Sequence, residues 1–109
     1  MKNIILICFH GASTGMLVKK MRQIAESMSE EIAVNAYSDT KLGEVIDGAD
    51  VVLLGPQLSF KKDEIVLKYK DKNVPIESID SLIYGTMNGK AVLDQALSLI
   101  KNNEGEKNE

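Results

Sequence analysis

The sequence has no tryptophan, one cysteine, one histidine and two prolines, and aromatic residues fill only 5% of its 109 positions. A single cysteine cannot close an internal disulfide, and one cysteine with one histidine cannot build a structural zinc site. If Cys8 matters, it matters as a thiolate. So few aromatic rings supply poor stacking platforms for nucleobases or a flavin. Basic residues never gather into a block: 13 Lys and Arg stand against 16 Asp and Glu, for a net charge of −3. Nucleic acid, whose phosphates call for clustered cations, is therefore not an expected partner. The longest apolar run, residues 4–9, falls far short of the roughly 20 residues that span a bilayer. It is also too short, with no cleavage site after it, for a secretory signal. The expectation is a cytoplasmic protein that inserts into no membrane, binds no metal or cofactor and is monomeric.

What is present is ordinary for a globular domain: 44% hydrophobic and 27% charged residues, over a length that buries a core without staples. One domain is expected over residues 1–101, followed by a polar, disordered tail, 102–109.

Residues 2–8 form an Ile-rich, nearly continuous apolar run, the mark of a strand covered on both faces. A loop of small and polar residues follows, Phe9 to Gly15. From Met16 a helical period sets in, with Met16, Leu17, Met21, Ile24, Ala25 and Met28 on one face. The methionines on that face read as core rather than as a cofactor site. Residues 31–38 alternate as a second strand. Thr40 is placed to cap a short helix over 41–47 that stops at Gly48. Residues 50–55 are the clearest buried strand, and a helix is expected from Ser59 or Phe60 to Lys70. Residues 74–79 form a weaker strand whose Pro75 points to a sheet edge. A loop over 80–87 leads to a last helix, capped by Asn88 and running to about Lys101.

Strands alternating with helices imply an α/β, three-layer sandwich around a four-stranded parallel sheet. Right-handed crossovers leave 2-1-3-4 as the expected strand order, a flavodoxin-like arrangement. Ligands bind such sheets outside the carboxyl ends of the strands, where the strand order reverses. The loops after the first, third and fourth strands should converge there.

Cys8 closes the first strand, just ahead of a loop that opens a helix. Free amides of that loop and of the helix N-terminus favour negative charge. Gly11 and Gly15 allow several amides to converge on one anion, and Ser13 and Thr14 add hydroxyl donors. Such a site favours a thiolate and would cradle the oxygens of a phosphoryl group. Nucleophile and anion site then coincide. The plainer reading is that a lone cysteine at a strand end is a small buried hydrophobe. Other phosphate sites fail on residues. No Walker loop is present, since Met16 stands where its second glycine belongs and no Lys-Ser/Thr follows, and there is no Gly-x-Gly-x-x-Gly fingerprint. A low-molecular-weight cysteine phosphatase or arsenate reductase starts from a similar fold, but closes its loop with arginine six residues after the cysteine. This chain has Thr14 there, which removes the charge clamp that hydrolysis needs. A non-catalytic regulatory domain of the same fold also stays open.

Three separated segments, Cys8-Phe9-His10-Gly11-Ala12-Ser13-Thr14 with Met16-Leu17-Val18 and Lys20-Met21, then Ala49 through Gln57, then Ile79-Asp80-Ser81-Leu82-Ile83-Tyr84-Gly85, resemble the enzyme IIB component of the lactose/cellobiose/chitobiose branch of the bacterial sugar phosphotransferase system. The likeness spans about residues 3–101. It implies that Cys8 takes a phosphoryl group from the phosphohistidine of a IIA protein, as phosphocysteine, and passes it to a sugar held by the membrane permease IIC. Phe9, His10, Gly11, Ala12, Ser13, Thr14 and Gly15 would form the phosphate-binding loop, Phe9-His10 replacing the family's usual small residues. His10 reads as a solvent-facing loop residue rather than a catalytic one. Gln57 and Tyr84 should border Cys8 as supporting residues, and Asp80 should orient its loop rather than act as an acid. Phe9, Ala12, Met16, Leu58 and Phe60 are the expected docking rim. Lys61 and Lys62 read as a solvated helix start or as a contact for an acidic partner patch.

Overall fold

The computed structural model describes residues 1–9 and 11–107, with side chains described except at residues 11–13, 106 and 107. Its strands are β1 (Lys2–Cys8), β2 (Ile32–Ser38), β3 (Val51–Leu54) and β4 (Ile76–Ser78). All pair in parallel, in the order β2-β1-β3-β4. Helices α1 (Gly11–Glu26), α2 (Leu42–Val45), α3 (Lys62–Lys68), α4 (Ser81–Gly85) and α5 (Gly89–Lys107) alternate with them. This is the expected flavodoxin-like sheet, with β1 and β3 central and Pro75 just ahead of the edge strand β4.

The register explains why β1 and β3 are apolar without a break. Ile4 and Leu6 pack with Val51 and Leu53 beneath α1 and α5, in a core completed by Leu17, Met21, Val92, Leu93 and Ala96. Ile5 and Ile7 point the other way, with Val52, Leu54, Leu42, Ile46 and Leu58. Alternate side chains serve opposite cores, so Ile4–Cys8 of β1 and all of β3 are buried.

Several expected boundaries move. Helix α1 begins at Gly11, not Met16, so Ser13, Thr14 and Gly15 stand in its first turns. The first four amides of a helix need no intrahelical acceptor, so small residues with low interior propensity are tolerated there. Among the methionines only Met21 is core: Met16 is 59% exposed, and Met28 is exposed as well, while Val18 is buried. Ser38, not Thr40, caps the turn before α2, accepting from the Thr40 amide. Two 3-10 segments, Pro56–Lys61 and Lys70–Lys72, flank a shorter α3. The segment expected as a loop over 80–87 contains α4, and α5 continues to Lys107 through the expected tail. Lys and Glu in that segment are good helix formers, and Asn103 Nδ2 donates to the Asn73 carbonyl at 3.2 Å. Asn88 does cap α5, its Oδ1 accepting from the Ala91 amide at 3.1 Å.

Candidate functional site

The register of β1 delivers Cys8 to the carboxyl edge of the sheet, opposite Ser38 of β2. Helix α1 begins three residues later, so its N-terminal amides open beside the cysteine. Cys8 forms no disulfide and is only 3% exposed. It nevertheless lines a pocket of about 290 Å³ with Gly15, Val18 and Arg22 of α1 and Ala36, Tyr37 and Ser38 of β2. A larger cavity, about 460 Å³, lies at the amino end of β2 around Met1, Glu30 and Glu31, away from every residue the sequence singles out.

Thr14 is buried, at 1% exposure. A hydroxyl in that setting requires a partner, and it has one: the Tyr84 hydroxyl lies 2.8 Å from Thr14 Oγ1. Tyr84 is held there by α4. Asp80 caps that helix, its Oδ1 accepting from the amides of Leu82 at 2.9 Å and Ile83 at 3.2 Å. Asp80 thus caps and orients that helix. Gln57 is brought in through the absence of a side chain at Gly55. A Cβ on Gly55 would lie 2.7 Å from Gln57 Oε1 and 3.7 Å from the Cys8 Cβ, so the glutamine amide occupies space beside the cysteine that only glycine leaves open.

The structure therefore gathers Cys8, Thr14, Gly15, Gln57 and Tyr84 at one edge. His10 and the side chains of Gly11, Ala12 and Ser13 lie outside the described residues. The expected docking rim survives in part. Phe9 is 39% exposed and Phe60 74%, and Met16 is exposed, whereas Leu58 is fully buried in the second core. Leu82 of α4 is exposed too, at the same edge.

Arg22 is the residue that the sequence did not bring forward. It has the look of a solvated position on the outer face of α1. Instead its Nε donates to the Val34 carbonyl at 2.8 Å and its Nη2 to Asn35 Oδ1 at 2.9 Å, which lays the side chain across β2 beside the Cys8 pocket. No local pattern signals this, because it depends on α1 lying over an edge strand. Among the described residues, no cluster of His, Cys, Asp and Glu could hold a metal ion.

These features define a class of parallel α/β domain in which a cysteine closes a central strand just ahead of the N-terminus of the following helix. Within that class the chain is a member of the family described as PTS system, Lactose/Cellobiose specific IIB subunit, whose family model matches residues 3–95. It is 43% identical over 102 residues to the oligo-beta-mannoside-specific EIIB component of Bacillus subtilis (strain 168), covering 94% of this chain and 99% of that one. The cellobiose-specific EIIB component of Lactococcus lactis subsp. lactis (strain IL1403) is 36% identical over 104 residues, covering 91% and 96%. The solution structure of the cellobiose-specific phosphotransferase IIB component of Borrelia burgdorferi superposes with a TM-score of 0.79 at 42% identity, over 94% of each chain. The lactose-specific IIB domain of Streptococcus pneumoniae shares the fold with a TM-score of 0.80 at 13% identity, over 90% of this chain and 96% of that one. The protein is a IIB component of the lactose/cellobiose type, a sugar phosphotransfer domain.

Proposed function

We propose that Cys8 is the phosphoryl carrier, loaded by the phosphohistidine of a IIA protein and discharged onto a sugar bound by a IIC permease. The observation that carries this reading is the position of Cys8, at the end of β1 against the N-terminus of α1, in a chain of the IIB family. In loading, the sulfur attacks phosphorus as the P–N bond breaks. The bonding pair leaves on the imidazole nitrogen, which ends with the thiol's proton. In discharge, a sugar hydroxyl oxygen attacks, the S–P bond breaks, and the pair returns to the sulfur while the hydroxyl proton passes to a base on the acceptor side. Splitting one transfer into two in-line steps at a preorganised anion site lowers each barrier.

The residues around Cys8 divide the work. The amides at the start of α1 would hold the phosphoryl oxygens. When Tyr84 donates its proton to Thr14, the Thr14 hydroxyl keeps its own for a phosphoryl oxygen. The Gln57 amide stands on the other side. Hydrolysis is disfavoured because Thr14 replaces the arginine of a phosphatase loop, while the Arg22 guanidinium is committed to Val34 and Asn35. Transfer at the cytoplasmic face of a membrane permease fits a chain in which no described helix is long and apolar enough to cross a bilayer. The relatives are named for an oligo-beta-mannoside, galactose and cellobiose, so a sugar within that range is the proposed cargo.

Incubation with a phosphorylated IIA relay should raise the intact mass of the protein by one phosphoryl group, and Cys8→Ser should abolish the gain. No gain in the wild type from a donor that charges another IIB protein would end the carrier reading. Rapid turnover of a small aryl phosphate would replace it with the phosphatase.

A further inference from the structure

We propose that Lys61 selects the phosphoryl donor, its ammonium acting from the edge of the Cys8 loop on a partner surface that presents a dianionic phosphoryl group. This inference rests on the carrier reading and deepens it.

Phe9 follows Cys8 directly, and Lys61 ends the 3-10 segment after β3, at the same edge of the sheet. The Lys61 Nζ lies 5.8 Å from the centroid of the Phe9 ring and 5.9 Å from that of Phe60. The two rings are 6.5 Å apart and inclined by 31°. The sequence has only two phenylalanines, and both stand here outside the core, Phe60 largely in water and Phe9 partly so. Exposed rings at this cost need a reason, and holding a cation over their faces is one.

That cation is also the least neutralised of the ion-paired lysines. Its carboxylate partner, Asp39, stands at 4.0 Å, the longest such pair among the described residues. Neighbouring Lys62 is tied closely to Glu77, and Lys90 to Asp94 at 2.9 Å. Lys61 therefore holds a loosely paired positive charge over the ring of Phe9, the residue after Cys8, on the rim of a neighbouring pocket that Asp39 and Glu64 also line.

The incoming group supplies the complement. A phosphorylated histidine brings about two negative charges toward the Cys8 sulfur of a chain whose own net charge is −3. Long-range repulsion must be offset locally, and a fixed rim cation does so by raising the encounter rate. The exposed Phe9 and Phe60 rings would meet aliphatic surface around the partner's phosphohistidine. The occupant is thus the loaded donor, not the acceptor or a lipid surface.

The test is the rate of phosphoryl uptake from phosphorylated IIA by the wild type, Lys61→Met and Lys61→Arg. Methionine keeps the stem against the rings and removes only the charge. At about 50 mM salt, Lys61→Met should lower kcat/KM roughly three- to tenfold through KM, with the rate at saturating donor unchanged, and the loss should fade by about 0.5 M salt. Lys61→Arg should retain wild-type rates. Uptake by Lys61→Met at the wild-type rate in low salt overturns the proposal. So does a loss that persists unchanged in high salt, which would be a packing effect. Normal uptake combined with weakened binding to vesicles containing phosphatidylglycerol would assign the cation to the membrane surface and also overturn it. A wild type that takes up no phosphoryl group sinks the carrier reading instead, so the two failures are distinct.

Discussion

Between Thr14 Oγ1 and the Tyr84 hydroxyl, 2.8 Å apart, a single proton is shared, and the oxygen that holds it decides what Thr14 can offer the Cys8 pocket. Tyr84→Phe leaves the buried threonine hydroxyl with one partner fewer. A stranded buried donor or acceptor costs about 1–3 kcal/mol, so urea unfolding of Tyr84→Phe should show a loss in that range. Thr14→Val in the same background should add little, because both polar groups are then gone. If the double variant loses as much again, the two hydroxyls are not coupled. The place of Cys8 was legible in the sequence because a strand ending in cysteine before a small-residue segment is a local pattern. The Thr14–Tyr84 pairing was not, since 70 residues separate the partners and only α4, capped by Asp80, sets the tyrosine in place. The reach of exposed Arg22 across β2 was not legible for a related cause: it depends on how α1 lies over that strand.

Strands were the most readable elements, since Ile4 to Ile7 and Val51 to Leu54 are covered on both faces and leave an unbroken apolar run. Helix ends were the least readable. At the start of α1 the small residues Gly11 to Gly15 suit either a loop or a first turn, and packing decides. The junction of α1 with α5 shows how tight that packing is. A Cβ on Gly89 would lie 3.1 Å from the Lys20 Cβ and 3.3 Å from the Met21 backbone nitrogen. Alanine is the better helix former by about 1 kcal/mol, yet at this position it meets backbone that cannot step aside. Gly89→Ala should therefore destabilise, by about 1–3 kcal/mol as overpacking typically does, measured as a lower urea midpoint with an unchanged slope. A gain in stability would mean that α5 slides freely on α1.

For the molecule as a whole, one ion pair among the described residues ties an outer helix to the sheet, Lys62 of α3 to Glu77 of β4. The hydrogen bond from Lys62 holds the Glu77 carboxyl below its ordinary value, against the opposing effect of burial. The folded state therefore binds that proton less readily than the unfolded chain does. The resulting stabilisation is complete above the ordinary glutamate range and disappears as pH falls through the lowered value. Between pH 6 and 3, Glu77→Gln should start less stable than the wild type and decline less steeply in chemical denaturation, whereas parallel declines would remove Glu77 as a contributor. At the opposite margin of the sheet, β2 presents seven residues, Ile32–Ser38, with no charge and no proline. Such a segment is a template for strand addition between neighbouring chains, the first step toward fibrils. The Arg22 guanidinium, already seated on the Val34 carbonyl and the Asn35 amide oxygen, fills part of that open margin. The same side chain that borders the Cys8 pocket thus also occupies two hydrogen-bond acceptors on this strand.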